Sequence, residues 1–186
     1  MNLQTQQMSA THNPSIADMN LDRTRFSPTS DNSREYRDAL GQFATGVTIV
    51  TTNGGVGPVG ITANSFSSVS LDPALVLWSM SKKSERYASF CNALNFAIHV
   101  LHQEQHELAM AFAKSAHAFG HCNWATGEAD VPLITDALVC FECRKQSVHD
   151  AGDHVIIVGA VDKVSLSKGD PLVFAGGSFG SFLSGA

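Results

Sequence analysis

Short apolar segments rich in β-branched residues recur along this chain without long helical segments between them, and this pattern constrains the fold more than any other feature of the sequence. The segments occupy residues 47–52, 74–80, 94–101, 137–150, 154–167 and 171–177. Segments of this kind are typical of strands. A doubly wound parallel sheet needs a long crossover helix between strands, so the pattern favours a mostly antiparallel, closed barrel with peripheral helices.

Helical patterns lie between some of these segments. The sequence SREYRDALGQFATG predicts a helix with Ser33 as its N-cap and an end at Gly46, because Tyr36, Leu40 and Phe43 follow helical spacing. The sequence SKKSERYASFCNA predicts a polar loop that enters a short helix, and HQEQHELAMAFAK predicts a longer one.

The first 32 residues differ from the rest of the chain. They are rich in Asn, Gln, Ser and Thr, and their few apolar residues follow no period. They also lack the positively charged start and apolar core of a secretory signal. Residues 1–32 are therefore predicted to be a disordered or loosely docked tail, followed by one domain over residues 33–186.

Composition and charge exclude several classes of function. The 186 residues include 17 acidic and 12 basic ones, for a net charge of −5. This balance argues against a broad surface for nucleic acid, which needs clustered Lys and Arg. No apolar run approaches the roughly 20 residues of a membrane span. The four cysteines lie far apart in a chain too large to need disulfides, so reduced thiols and a cytoplasmic location are expected.

Three motif matches lack the context that their chemistry needs. Gly55–Gly60 matches the dinucleotide fingerprint, but no helix follows, so a hairpin loop is expected. Gly176–Gly180 matches the serine-hydrolase elbow, but no acid or histidine follows it. Cys140 and Cys143 have half of a zinc-ribbon spacing, and in a strand they point to opposite faces.

Four histidines fall close together in the sequence. His102 and His106 are four residues apart, as are His117 and His121, and this spacing places two metal ligands on one helical face. The segment is strongly polar, however, and lacks the flanking Glu of a hydrolase motif. A solvated helix face is the default interpretation, and a metal-binding protein that uses this cluster is kept as an alternative.

Two stretches do not look like ordinary core or loop. Gly60–Ser70 is dense in small hydroxyl residues and carries Asn64; such residues allow close approach of a planar ligand and hydrogen-bond its polar edge. Ser147–His154 ends in a histidine that enters an apolar strand, where it is either a capped core residue or a titratable group at the mouth of a site.

In order along the chain, these stretches resemble the short-chain flavin reductase family, the reductase components of two-component flavin monooxygenases. The resemblance runs from about Ser33 to Phe182. It rests on LGQFATGVTIVTT, GITANSFSSVSLDPALVLWSM, NFAIHVL with Gln105 and Phe112 after it, VHDAGDHVIIVGAV and PLVFAGGSF. It implies a split β-barrel of the FMN-binding, Greek-key type and a homodimer with flavin at the subunit interface. It also implies reduction of FMN or FAD by NADH or NADPH, and release of the reduced flavin to a separate monooxygenase.

The resemblance also implies roles for particular residues. The flavin edge and ribityl chain would meet Pro58, Val59, Gly60, Ile61, Thr62, Ala63, Asn64 and Ser65. A loop of Ser79, Met80, Ser81, Lys82, Lys83 and Ser84 would hold the phosphate, and Phe119 would close over the flavin. His154 would act at the nicotinamide with Gly177, Ser178 and Phe179.

The chain departs from the family at its C-terminal end. The arginine and tyrosine that the family often carries there are replaced by AGGSF, which puts a phosphate contact at that position in doubt and makes NADH the expected donor over NADPH. A flavin- or haem-binding module without turnover, on the same barrel, is the other alternative.

Overall fold

The computed structural model describes residues 24–55 and 57–183. The chain forms two compact units, Met1–Tyr36 and Arg37–Ala186. In the described part of the first unit, the backbone carbonyl of Asn32 accepts a hydrogen bond from the Tyr36 amide. Helix α1 spans Ser33–Gly41, so Asn32 and not Ser33 is its N-cap, and it ends before the predicted Gly46. The predicted tail lies mostly outside the described residues.

The second unit is built mainly of strands. The strands are β1 (Thr45–Gly46), β2 (Thr48–Asn53), β3 (Pro58–Ala63), β4 (Ser67–Leu71), β5 (Ala74–Ser81), β6 (Asn95–Val100), β7 (Trp124–Thr126), β8 (Pro132–Ile134), β9 (Val139–Ala151), β10 (His154–Leu166), β11 (Leu172–Ala175) and β12 (Ser178–Ser181). The helices are α2 (Tyr87–Asn92) and α3 (His106–Lys114), with a 3₁₀ turn at Ala118–His121. Each predicted strand segment is a strand in the structure.

The strands form three sheets. The largest has the order β3-β2-β6-β9-β10-β5-β4, and the others are β1-β11-β12 and β7-β8. Every pairing between these strands is antiparallel. The prediction of a mostly antiparallel β architecture is therefore confirmed. The sequence between about Phe119 and Pro132 has no regular apolar pattern, yet the 3₁₀ turn, β7 and the start of β8 lie there.

The core lies on both faces of the large sheet. In β2, Ile49 belongs to one apolar cluster with Leu101 and Phe112, whereas its neighbour Val50 belongs to a second cluster with Trp78. Five of the six β2 residues are buried, its threonines among them, which explains why VTIVTT lacks the regular apolar-polar alternation of a half-exposed strand. Burial of each large apolar side chain contributes about 1.5–3 kcal/mol to folding.

The three motif matches have structural explanations. Strands β2 and β3 pair as an antiparallel hairpin, and at its turn the Gly54 amide lies 3.0 Å from the Gly57 carbonyl oxygen, as expected. Gly176 and Gly177 form the turn of the β11–β12 hairpin. Cys140 and Cys143 lie in different buried clusters, and burial raises the pKa of each thiol to about 12. Both thiols are therefore protonated core side chains.

Among the helices of the described residues, none combines the length and the apolar character that crossing a bilayer requires.

Candidate functional site

One face of β3 packs on α3. A Cβ atom at Gly60 would lie 2.4 Å from Cε1 of Phe112, and the Thr62 hydroxyl donates to the Ala109 carbonyl at 2.6 Å. The small residue at position 60 therefore makes room for an aromatic ring of the protein itself. The Thr62 hydroxyl therefore already has an internal acceptor, and contact of Gly60 and Thr62 with the flavin through their backbone stays a prediction.

The other face of β3 belongs to the core. Val59 is buried, and Ile61 and Ala63 pack on the cluster that contains Trp78. The carbonyl of Pro58 lies 3.0 Å from Nδ1 of His117. The side chains of Val59, Ile61 and Ala63 therefore pack inside the protein and are not available as a surface for the flavin. Contact of these residues with the flavin through their backbone stays a prediction.

The corner after β3 carries the residues that face outward. The Ser65 hydroxyl accepts a hydrogen bond from the Ser79 amide at 2.9 Å and donates one to the Ser79 carbonyl at 3.2 Å. It therefore links the corner to β5, and its contact with the flavin stays a prediction. Asn64 is exposed and lines a cavity of about 520 Å³.

This cavity has the size and chemistry of a small-molecule site. It is lined by residues of α1, the loop after it, β1, the corner after β3 and the β11–β12 hairpin: Arg37, Asp38, Leu40, Gly41, Gln42, Phe43, Thr45, Asn64, Phe174, Gly176 and Gly177. Within the described residues, the Thr45 Oγ1 is buried and has no hydrogen-bond partner. A buried hydroxyl without a partner is costly unless a ligand or water satisfies it. Apolar walls with a few polar groups suit a flavin ring.

Sequence reasoning missed most of these lining residues. Thr45 lies in LGQFATG, one of the segments that carries the family resemblance, but no role was assigned to it. Arg37 and the two glycines Gly176 and Gly177 line the same cavity. Arg37 therefore brings a guanidinium close to the C-terminal segment in which the arginine typical of the family is absent. The available signal is the helical spacing of Tyr36, Leu40 and Phe43 in the sequence. In the structure Leu40 and Phe43 are 58% and 79% exposed, so they are not core residues.

The predicted phosphate loop is in part a strand. Ser79, Met80 and Ser81 are the last residues of β5, so the loop begins only at Lys82. Met80 is fully buried among core side chains, which excludes its side chain from contact with a phosphate. Ser79 and Ser81 lie on the opposite, outward face of β5 because side chains alternate along a strand.

His154 lies beside these serines. It begins β10 directly opposite Ser81 of β5, and Ile156 is opposite Ser79, so all four side chains share the outward face. The side chain of His154 is 43% exposed. Its Nδ1 donates to the Asp153 carboxylate at 2.8 Å, and this hydrogen bond, with the charge of the imidazole, lowers the pKa of Asp153. Ser81 of the predicted phosphate loop and His154 of the predicted nicotinamide site thus lie next to each other.

The basic residues after β5 differ from each other. The ammonium group of Lys82 lies 2.8 Å from the Gly152 carbonyl and 3.0 Å from the Asp150 carboxylate. Lys83 is exposed, and its amide donates to the Ser81 hydroxyl at 3.3 Å. The Ser84 hydroxyl accepts from the Arg86 amide at 3.3 Å. Of the two lysines, Lys82 is the one whose ammonium group has the hydrogen bond and the ion pair described above.

The two aromatic residues predicted for the site, Phe119 and Phe179, both pack against other rings of the protein. Phe119 is buried, with its ring centroid 5.0 Å from that of Phe112 and 5.2 Å from that of Trp124. The ring thus has core contacts in this structure, and its closure over the flavin stays a prediction. Phe179 packs between Phe174 at 5.1 Å and His106 at 5.0 Å, and Ser178 is exposed.

The four histidines do not lie on one helix, although His106, His117 and His121 line one cavity. His102 precedes α3 and His117 precedes the 3₁₀ turn, so neither predicted pair lies on one helix. In the described part of the chain, no three His, Cys, Asp or Glu side chains come together in a metal-binding arrangement. The geometry gives no support to the metal-binding alternative.

Known proteins similar to this chain share its sequence pattern. The family model for the flavin reductase like domain matches residues 40–182. The FMN reductase (NADH) SmoA of Agrobacterium fabrum is 51% identical over 157 residues, 84% of this chain and 90% of that protein. The reductase component of the trigonelline monooxygenase of Acinetobacter baylyi is 49% identical over 131 residues, 69% of this chain. The match covers 42% of that longer relative.

Solved structures share the fold. The NADH:FAD oxidoreductase SgcE6 of Streptomyces globisporus superposes with a TM-score of 0.81 at 34% identity, over 89% of this chain and 96% of that one. The same protein in complex with NAD and FAD fragments gives 0.78 at 36% identity, over 86% and 98% of the two chains. The predicted family and the predicted split-barrel fold are confirmed, and the chain belongs to the flavin reductase family.

Proposed function

We propose that this protein transfers a hydride from NADH to free FMN or FAD and supplies the reduced flavin to a separate monooxygenase. The observation that carries the proposal is the cavity of about 520 Å³ with Asn64 and the unpartnered Thr45 hydroxyl in its wall. Two proteins similar to this chain support the choice of cofactors, since they are named as an NADH-dependent FMN reductase and an NADH:FAD oxidoreductase.

The protein contributes binding and orientation. When both are bound, NADH supplies the hydride and the flavin accepts it, so the transfer needs no general base from the chain. Asn64 and Thr45 offer an amide and a hydroxyl to the polar edge of the ring system, and Phe174 gives an apolar wall. Lys83 offers a charge to a flavin phosphate. His154 orients the nicotinamide from the exposed end of β10.

A steady-state assay tests the activity itself. NADH and NADPH are each offered with FMN, FAD and riboflavin, and oxidation of the nicotinamide is followed with and without the protein. We expect flavin-dependent oxidation that is faster with NADH than with NADPH. Tight flavin binding without any oxidation of NADH or NADPH would instead assign the chain to a non-catalytic flavin-binding module.

Replacement of Asn64 by Leu is expected to weaken flavin binding about tenfold. The change removes the amide from the cavity wall but leaves the core intact, since Asn64 is exposed; loss of one hydrogen bond to a ligand costs about 1–1.5 kcal/mol. Quenching of flavin fluorescence measures the dissociation constant. The matched control is Asn92→Leu at the end of α2, away from the cavity. An unchanged flavin affinity in the Asn64 variant would refute the assignment.

Replacement of His154 by Ala is expected to raise the KM for NADH about tenfold and to leave kcat within about twofold. A residue that positions the nicotinamide equally in the ground and transition states affects KM alone, and one hydrogen bond accounts for the size of the effect. If His154 donates a proton instead, kcat falls and its pH dependence changes. A lower melting temperature with unaltered NADH kinetics would show that His154 has only a structural role.

The homodimer and the cytoplasmic location also belong to this proposal. Large apolar side chains lie exposed on β4 and β10, among them Leu71 at 95% and Leu166 at 79%, and such surface favours contact with another copy. The four cysteines are free thiols, which fits a reducing compartment. Light scattering tests the first point: a particle of twice the chain mass is expected, and a monomer at micromolar concentration would contradict it.

A further inference from the structure

Lys82 joins the end of β5 to the β9–β10 hairpin. Its Nζ donates to the Gly152 carbonyl at 2.8 Å and forms an ion pair with Asp150 at 3.0 Å. Its backbone amide donates to the Asp153 carbonyl at 3.0 Å. Gly152 has a φ of 67°, a left-handed conformation that favours glycine at the first central position of a two-residue hairpin turn.

The register of the strands places Lys82 and His154 on different faces of the sheet. Asp150, Val155 and Met80 are in one row across β9, β10 and β5, and Met80 and Val155 are buried. Ala151, His154 and Ser81 form the next row, which faces outward. Because Lys82 pairs with Asp150, its ammonium group lies on the side of the first row, behind the surface that presents His154.

We propose that Lys82 is a positioning residue that holds the His154 turn in place, and that it is not a ligand of the flavin phosphate. The inference rests on the proposed function, since it assigns the effect of Lys82 to nicotinamide binding. Lys82 holds the turn through Asp150 and Gly152, and the Asp153 carboxylate in that turn accepts a hydrogen bond from the His154 ring. Lys82 therefore acts on the nicotinamide through His154.

A role as a ligand of the flavin phosphate would require a different position of the Lys82 side chain. A phosphate ligand must turn its ammonium group toward solvent, and Lys82 would then give up both the Gly152 carbonyl and the Asp150 carboxylate. The neighbouring Lys83 is exposed and meets the demand without such a loss. The two lysines therefore have different roles: Lys83 binds the flavin phosphate, and Lys82 stabilises the turn.

The test compares Lys82→Met with Lys82→Arg and with Lys163→Met. Lys163 also lies in an ion pair on the same hairpin, 2.5 Å from Glu128, but outside the site, so it is the matched control. FMN and riboflavin are the two flavins, because riboflavin lacks the phosphate. Flavin dissociation constants, the KM and kcat for NADH, and amide hydrogen exchange of residues 150–154 are measured.

For Lys82→Met we expect the KM for NADH to rise about fivefold with FMN and with riboflavin alike, with kcat within about twofold. Both flavin dissociation constants stay within about twofold, and amide exchange in the turn becomes faster. Lys82→Arg keeps a donor for both partners and restores most of the KM. Lys163→Met leaves all of these quantities at the wild-type values.

Two outcomes overturn the proposal. A weaker affinity for FMN with an unchanged affinity for riboflavin would make Lys82 a phosphate ligand. Faster exchange with an unchanged KM for NADH would make it a structural residue of the turn alone. Failure of the proposed function is distinguishable from both, because wild-type protein would then lack NADH oxidation with either flavin, and unchanged amide exchange in Lys82→Met would still refute the positioning contact.

Discussion

Phe112→Ala is expected to lower the free energy of unfolding by about 3–5 kcal/mol, the usual cost of truncating a buried phenylalanine. The ring is fully buried, stacks edge-on against Phe119 with centroids 5.0 Å apart, and fills the space above Gly60. It joins α3 to β3, the strand that leads to Asn64. Urea denaturation followed by circular dichroism measures the change, and a loss below about 1 kcal/mol would contradict the packing described here.

Gly60→Ala provides the matched comparison from the other side of the same contact. A Cβ atom there would lie 2.4 and 2.6 Å from two atoms of the Phe112 ring, so overpacking costs about 1–3 kcal/mol. In the double variant the added methyl group enters the space that the ring has left. The double variant should therefore be more stable than the sum of the single losses predicts, and simple additivity would contradict the close contact.

Acid is expected to destabilise the protein through His99, by roughly 3 kcal/mol between about pH 6.5 and pH 4. His99 is fully buried in β6, and burial lowers its pKa from 6.5 to about 4. Its Nδ1 lies 3.0 Å from the Ile49 carbonyl, and its Nε2 accepts the Ile134 amide at 3.0 Å. These partners require the neutral ring with its proton on Nδ1, because protonation of Nε2 removes the acceptor.

The sign of this effect follows from the direction of the shift. The unfolded chain takes up a proton near pH 6.5 and the folded chain only near pH 4, so the contribution is complete above about pH 6.5 and lost as the pH falls to about 4. His99→Gln keeps an amide donor and acceptor but does not titrate. Its stability should fall less steeply over this interval than that of the wild type, and parallel pH profiles would exclude His99 as the cause.

The strands could be predicted from the sequence because each is a short apolar segment bounded by turn residues. VTIVTT and ALVLWSM became β2 and β5 with boundaries shifted by a residue at most. Strand β12, by contrast, reads SFGS and carries no apolar period. It is a strand because Phe179 packs on Phe174 and His106, and a tertiary contact of this kind leaves no local signal.

The site could be predicted less well, because sequence reasoning names residue types but not their partners. The hydroxyls of Thr62 and Ser65 suited a ligand equally well in the sequence, yet they are bonded to Ala109 and Ser79. Lys82 and Lys83 are adjacent and look alike, but only Lys82 meets the Asp150 carboxylate. Each partner lies at least 14 residues away along the chain, so only the fold distinguishes a structural hydroxyl or ammonium from a free one.

The central claim is that this protein catalyses transfer of a hydride from NADH to a free flavin. Anaerobic mixing of NADH with excess FMN and a small amount of the protein tests it most directly, with the loss of flavin absorbance followed over time. We expect rapid bleaching of one flavin for each NADH, at an initial rate proportional to protein concentration. Bleaching no faster than in a mixture without protein, with FMN bound to the protein, would contradict it.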